Sequence, residues 1–313
     1  MRLLPGKSLF EEVAVDKGVD SSFVEKDWYV TQLIDLVARF RFSGVTLIFT
    51  GGTALSKAHH LLQRFSEDID FRLSIPELET QSNNQQRSYL SKLKNDLINH
   101  INTVFPINAD KITARNGNRF FSMEIDYPSS FPQAAALRAH ILLEFTVAGM
   151  ALPSINCAVA SFVHEYLENE PEVVSISCTD PVENAADKLS AFVWRVIDRE
   201  RGTENDDATI VRHLHDLAIL ADRAMAHPKF KALALATVGK DTKRSNKTSG
   251  LSLTEKFEQV KQVIAIDEEY DLEYQRFVQG MSYSTSLEVP NYKFACAQLN
   301  LLLDFVELGD IEA

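Results

Sequence analysis

Two aspartates flank one apolar residue at Asp68-Ile69-Asp70, inside the alternating segment EDIDFRL. In a β-strand, residues i and i+2 share a face with Cα atoms about 6.6 Å apart, so Ile69 would enter a core while both carboxylates point into one cleft. Aligned like charges are costly unless a cation sits between them. Divalent ions about 3.5–4 Å apart meet that need and serve phosphoryl and nucleotidyl transfer. Mg2+ suits oxygen ligands and keeps waters and substrate phosphates in its shell. The alternative is two solvated carboxylates on an exposed strand.

Fifteen residues before Asp68 lies Gly51-Gly52-Thr53, where the apolar run VTLIF meets a helical pattern. Two glycines let the backbone approach a bulky anion, and the first N–H groups of a helix are open to phosphate oxygens. Thr53 would add a hydroxyl at the helix N-cap. A two-metal site commonly takes a third carboxylate from a neighbouring strand. Glu144, in the apolar context HILLEFT, is the preferred candidate because a charge there needs a partner. Asp126 in MEIDYP is its rival and Glu124 a weaker one; only the strand register decides between them.

Positive charge comes from the second half. Lys188, Arg195 and Arg199 fall at i, i+7 and i+11 of a helical pattern, beside the apolar face of Leu189, Phe192, Val193 and Val196. Such a stripe would hold a triphosphate, with lysine as a point charge and arginines as forks, or would simply face water. Arg212 and Asp216 stand at i and i+4, a spacing that also makes ordinary surface ion pairs. His213 and the dipeptide His215-Asp216 are reminiscent of metal-dependent phosphohydrolases. That reading needs further histidines, and His59, His60 and His100 do not form the required set.

These residues need elements to position them. Helices are expected over 22–40, from Ala54 through Leu62, and from Tyr89 to Phe105. Strands are expected over 45–49, 67–73, 119–127 and 138–147. After Pro181 the pattern turns helical, over 183–200, 207–226, 253–279 and 290–308, with a polar RGTEN connection and a flexible loop at 238–252. The 313 residues fit two domains of about 100–200 each. An α/β domain with a mixed sheet is expected over 1–180, followed by a mostly helical domain over 181–313.

Thirty-two Lys and Arg against 44 Asp and Glu give a net charge of −12, the wrong sign for coating nucleic acid through bulk charge. The charge is segregated, however. The stretch from Lys229 to Lys247 carries a local +5 and 267–273 a local −5, so the overall acidity leaves room for a local basic patch. Cys157, Cys178 and Cys296 contain no CxxC pair, which supports neither a disulfide framework nor a structural zinc site. The segment MRLLPGKSLFEEV lacks the apolar core of a signal peptide, and no apolar run approaches the ~18 residues of a membrane span. A cytoplasmic protein without membrane partners is expected.

The segment GGTALSKAHHLLQRFSEDIDF resembles the first motif of the AbiEii/AbiGii group of nucleotidyltransferase toxins, a branch of the polymerase-β-like nucleotidyltransferase superfamily. ADKLSAFVWRV and RHLHDLAIL are similar to the later Lys-containing and Asp-Leu-containing motifs, in the same order. The family belongs to type IV toxin–antitoxin and abortive-infection systems. The resemblance implies a polymerase-β-like domain in which Asp68 and Asp70 bind Mg2+ and activate the attacking oxygen. Gly52 and Thr53 would hold the triphosphate, Lys188 would contact its phosphates, and Asp216 would match the acidic residue of the last motif; Gly51 and Arg195 join the nucleotide-binding set from the turn and the cation stripe described above. Ser66 would contact nucleotide or be modified. His213 departs from the pattern, since similar sequences often carry an acid there. The implied reaction transfers a nucleotide from an NTP to RNA with release of pyrophosphate. The acceptor would be the tRNA 3′ end, so that translation stops, and a neighbouring gene would encode the antitoxin. Transfer to a protein or small molecule, or a degenerate nucleotide-binding interaction protein, are the alternatives; the intact Asp68-x-Asp70 argues against degeneracy.

Overall fold

A computed structural model describes residues 2–203, 206–283 and 289–308; Glu204 and Asn205 of the RGTEN connection lie outside the described residues. The chain divides into two compact units, Met1–Thr179 and Asp180–Ala313. Among the described residues, no helix is long and apolar enough to cross a membrane.

The first unit runs α1 (Lys7–Lys17), α2 (Ser21–Ala38), β1 (Thr46–Thr50), α3 (Gly51–Thr53), β2 (Asp68–Ser74), α4 (Asn83–Asn102), β3 (Ile112–Arg115), β4 (Phe120–Asp126), β5 (His140–Val147), β6 (Ile155–Val159), α5 (Phe162–Tyr166) and β7 (Val173–Cys178). The strands form one sheet of order β3-β4-β5-β2-β1-β7-β6. Strand β2 pairs parallel with β5, and β1 with β7, while β1 with β2, β3 with β4, β4 with β5, and β6 with β7 are antiparallel. The fold is α/β with a mixed sheet.

Alternation in the sequence sets the register. Ile69, Phe71 and Leu73 are buried, and the interleaved Asp68, Asp70 and Arg72 are half-buried on the other face. On the core face, Phe49, Phe71, Phe145 and Phe121 form a row across four strands, with ring centroids 5.5, 5.7 and 4.9 Å apart. Each neighbouring ring pair adds about 0.5–1.5 kcal/mol beyond its burial. A slip of one residue would turn the row to solvent and the carboxylates inward, so the core pins the polar face as well.

The second unit contains α6 (Pro181–Asp198), α7 (Val211–Ala226), α8 (Phe230–Asp241), α9 (Leu253–Ile266), α10 (Glu269–Met281) and α11 (Tyr292–Glu307). Helix α6 starts sharply because Asp180 accepts from the Val182 N–H and Pro181 occupies its first turn. Its buried face holds Leu189, Phe192, Val193 and Val196, as the periodicity predicts.

Several local expectations need correction. The helix after Gly51 ends at Ala58 as a single π-helical turn, and His60 adopts φ 52°, so Leu61 and Leu62 lie beyond it. The stretch 253–279 is two helices, broken at Asp267. The stretch 238–252 opens as the end of α8 and a 3-10 turn, Thr242–Arg244. The Thr248 hydroxyl donates to the Thr242 and Ser245 carbonyls, 3.0 Å each, giving that segment internal structure. Strands β3, β6 and β7 went unexpected because each is short and leaves several positions exposed.

Candidate active site

The parallel pairing of β2 with β5 aligns Asp70 with Glu144 and Asp68 with Leu142. Antiparallel neighbours extend the row: Thr50 pairs with Asp70, and Ser122 with Glu144. Residues paired in register project to the same face. Asp68, Asp70 and Glu144 therefore share one half-buried polar surface directly behind the phenylalanine row. Asp126 pairs with His140 at the far end of β5, and its carboxylate holds Lys111 at 2.8 Å. Glu124, opposite Leu142, lies 3.9 Å from the same Lys111. The register thus brings Glu144, and not Asp126, beside Asp70.

The turn after β1 explains both glycines. Gly51 has φ +79°, and a Cβ there would fall 2.1 Å from Asp70 Oδ2. A Cβ on Gly52 would meet Arg64 Nη2 at 2.7 Å and Ser66 Oγ at 3.0 Å. The absence of side chains lets a carboxylate, a guanidinium and a hydroxyl close directly on the backbone. Thr53 is not the N-cap; Thr50 is, without a side-chain cap bond. The buried Thr53 hydroxyl instead donates to the Asp68 carbonyl and ties the turn to β2.

Two arginines here escaped sequence reasoning. Arg64 is buried, donates from Nη1 to the Phe65 carbonyl at 3.0 Å, and aims Nη2 at Gly52. Arg138 Nη1 lies 2.6 Å from Asp68 Oδ1, a charge-assisted contact, while its backbone N–H donates to Glu67 Oε2 at 2.9 Å. Glu67 also accepts from the fully buried Lys26, whose ammonium donates to the Arg138 carbonyl at 2.8 Å. Burial lowers the Lys26 pKa against the pull of Glu67. Lys57 on the π-helical turn pairs with Asp27, which accepts from the Phe162 N–H at 2.8 Å. Burial raises the Asp27 pKa, and Lys57 works against that shift. For Lys26 and Asp27 the available signal was the charged triplet Glu25-Lys26-Asp27, set between the apolar pair Phe23-Val24 and Trp28.

Asp68, Asp70 and Glu144 offer only oxygen donors, a set that fits a hard divalent cation such as Mg2+ and not a thiophilic one.

In the second unit, Lys188 Nζ lies 2.7 Å from Asp216 Oδ2, and both residues are buried. His215 Nδ1 is 3.2 Å from the other Asp216 oxygen, and its ring packs edge-on to Phe277. The His213 ring nitrogens are buried with no hydrogen-bond partner among the described residues. Burial first, and then Lys188 and Arg212, hold its pKa well below the usual imidazole value. Arg195 lies 3.2 Å from Asp207 and lines a cavity of about 430 Å3 with Trp194, Asp198 and Lys247. Arg199 leaves the expected three-cation stripe, because both its terminal nitrogens grip Glu273, at 2.8 and 2.6 Å, and its Nε takes Asp206 at 2.7 Å. The basic segment is likewise partly neutralised: Arg244 pairs with Asp241, and Lys247 with Glu200.

Comparison with known proteins shows the family and the fold. A family model described as nucleotidyl transferase AbiEii toxin, type IV TA system, matches residues 35–297. None of the curated proteins compared with the chain matches it. Among solved structures, the fold is similar to MenT4, a nucleotidyltransferase toxin from Mycobacterium tuberculosis H37Rv. The match has 15% sequence identity and a TM-score of 0.58, and covers 96% of this chain and 89% of that one.

Proposed function

The chain belongs to the AbiEii family of nucleotidyltransferase toxins of type IV toxin–antitoxin systems, and from that membership we propose that it transfers a nucleotide from an NTP to the 3′ end of an RNA, with Mg2+ as its metal. As a family member it is a nucleotidyltransferase that uses an NTP and a divalent metal, and it has an antitoxin partner. The observation that supports the Mg2+ reading is the alignment of Glu144 with Asp70, one strand from the Gly51 turn; the RNA acceptor is inferred from the family.

In this reading Asp68, Asp70 and Glu144 hold Mg2+. When bound, the ion neutralises charge at the α-phosphate and the leaving pyrophosphate. Asp68 and Asp70 orient the acceptor hydroxyl and draw off its proton. The backbone of Gly51 and Gly52 lies close to the triphosphate, with Thr53 fixing that turn to β2 and Arg64 and Ser66 bordering it. Arg138 holds Asp68 in place before substrate arrives. Lys188 contacts phosphate as a point charge, oriented by Asp216, and Arg195 adds a further cation. The hydroxyl oxygen bonds to the α-phosphorus, the bond from that phosphorus to the bridging oxygen breaks, and pyrophosphate leaves. The acceptor is assigned to tRNA, whose blocked 3′ end would stop translation in the cytoplasm.

Incubating the protein with Mg2+, each labelled NTP in turn and total RNA tests this. Label in RNA, concentrated in the tRNA band, supports it. Label in protein, or none with NTP still bound, contradicts it.

A further inference from the structure

Behind the Gly51 turn, three ligand atoms of a different chemical character converge. His59 directly follows the π-helical turn Ala54–Ala58, Cys157 lies on β6, and Cys178 ends β7. In the antiparallel pairing of β6 with β7, Ile155 is opposite Cys178 and Cys157 opposite Ile176, so the two cysteines are diagonal neighbours on one face. One imidazole nitrogen and both Sγ atoms lie within 4.8 Å of one another. Spacing along the chain, 21 residues without a CxxC pair, hides this arrangement.

The imidazole is oriented as a ligand. His59 Nε2 is 2.9 Å from the Thr179 carbonyl oxygen, which can only accept, so Nε2 carries the hydrogen. Nδ1 then presents its lone pair on the side of Cys157 Sγ, 3.8 Å away. A second ring nitrogen bonded to a backbone carbonyl is the support that metal-ligating histidines usually have. An imidazole so fixed has no part in a disulfide, which two thiols alone would form. Cys178 is fully buried and Cys157 half-buried, so one side of the cluster remains open to water.

We propose that His59, Cys157 and Cys178 form a binding site for a thiophilic divalent cation, Zn2+, with water as the fourth ligand. Bonds of about 2.3 Å to sulfur and about 2.0 Å to nitrogen put tetrahedral neighbours about 3.5–3.8 Å apart, so the widest separation must close by only about 1 Å. Binding releases the two thiol protons and leaves the redox state of the protein unchanged. The ion would fasten the segment after Gly51–Thr53 to β6 and β7. The Thr179 N–H already donates to the Phe49 carbonyl at 2.9 Å, so the site is coupled to β1, the strand that leads into Gly51. This site is independent of the Asp68–Asp70–Glu144 surface, whose ligands are all oxygens.

The full chain, reduced and stripped of metal with a chelator, is titrated with Co2+ and then Zn2+. The expected result is a thiolate-to-cobalt charge-transfer band that saturates at one ion per chain and disappears as Zn2+ displaces Co2+. Cys157→Ser and His59→Gln should weaken Zn2+ binding by more than about 100-fold, while Cys296→Ser and the double variant Asp68→Asn/Asp70→Asn keep the band. Should Cys157→Ser fail to fold by circular dichroism, His59→Gln carries the same comparison. No band in the wild type, or its loss in Cys296→Ser, overturns the proposal. Because the aspartate variant retains the band, failure of the nucleotidyltransferase reading would be seen separately.

Discussion

Glu144 is the register partner of Asp70 across the parallel strands β2 and β5, and the two carboxylates leave the sheet on the same side. The alternative acid, Asp126, is held by Lys111 at the other end of β5. Asp70→Asn and Glu144→Gln are each expected to slow nucleotide transfer by at least about 100-fold, the scale for removing one electrostatic element from an active site. Asp126→Asn should leave the rate near that of the wild type. Initial rates of label incorporation check all three, with circular dichroism showing that the fold persists.

Gly51 offers a test based on shape. Gly51→Ala must both hold a left-handed backbone and push Asp70 away, since its Cβ would lie 2.1 Å from the carboxylate oxygen. Gly18 has a similar φ of +66° with nothing within 4 Å of a Cβ. Both alanine variants should lose about 1–2 kcal/mol of stability from the backbone alone. Only Gly51→Ala should also lose transfer activity. Urea unfolding and initial rates, measured side by side, separate the two effects.

How far the site could be read from the sequence depends on the range of each cause. Local alternation puts Ile69 inside and Asp68 and Asp70 on one face without any tertiary information, and the structure agrees. The choice of Glu144 needed the pairing of strands more than 70 residues apart, which no local pattern carries. Arg64 and Arg138 were missed for the same reason, as their places beside Gly52 and Asp68 are set by tertiary packing. The helix expected through Leu62 failed because buried apolar residues outlast the helical hydrogen bonds; Leu62 is buried although the helix stops at Ala58. Arg199 fitted the periodicity of a phosphate-facing stripe, but Glu273 claims it.

Lys188 and Asp216 form a buried ion pair, and the structural role of that pair can be separated from the chemical role proposed for it. Removing one partner of a buried ion pair leaves an uncompensated charge at a cost of about 3–5 kcal/mol, while apolar replacement of both is often tolerated. Lys188→Met should therefore lower stability strongly, and Lys188→Met/Asp216→Leu should recover much of the loss. Transfer should remain abolished in both, because phosphate has lost its lysine. Denaturation midpoints and rates of the two variants decide this.

His213 gives the second unit an expected pH dependence. Its folded pKa lies well below the reference 6.5, because burial and neighbouring cations disfavour the charged ring. The unfolded chain therefore binds the proton more readily, and this part of the stability is present above about pH 6.5 and is lost as pH falls toward the folded value. The limiting slope is about 1.4 kcal/mol per pH unit for one group. Urea midpoints measured from about pH 8 down to about pH 5 should fall more steeply for the wild type than for His213→Leu.

The central claim, nucleotidyl transfer supported by the Asp70–Glu144 face, is tested most directly by following each phosphate separately. Wild type and Asp70→Asn are incubated with Mg2+, RNA and one NTP labelled either at the α- or at the γ-phosphate. The account predicts that α-label enters RNA while γ-label leaves as pyrophosphate, and that Asp70→Asn does neither. Entry of γ-label into any acceptor, or undiminished α-label transfer by Asp70→Asn, would contradict it.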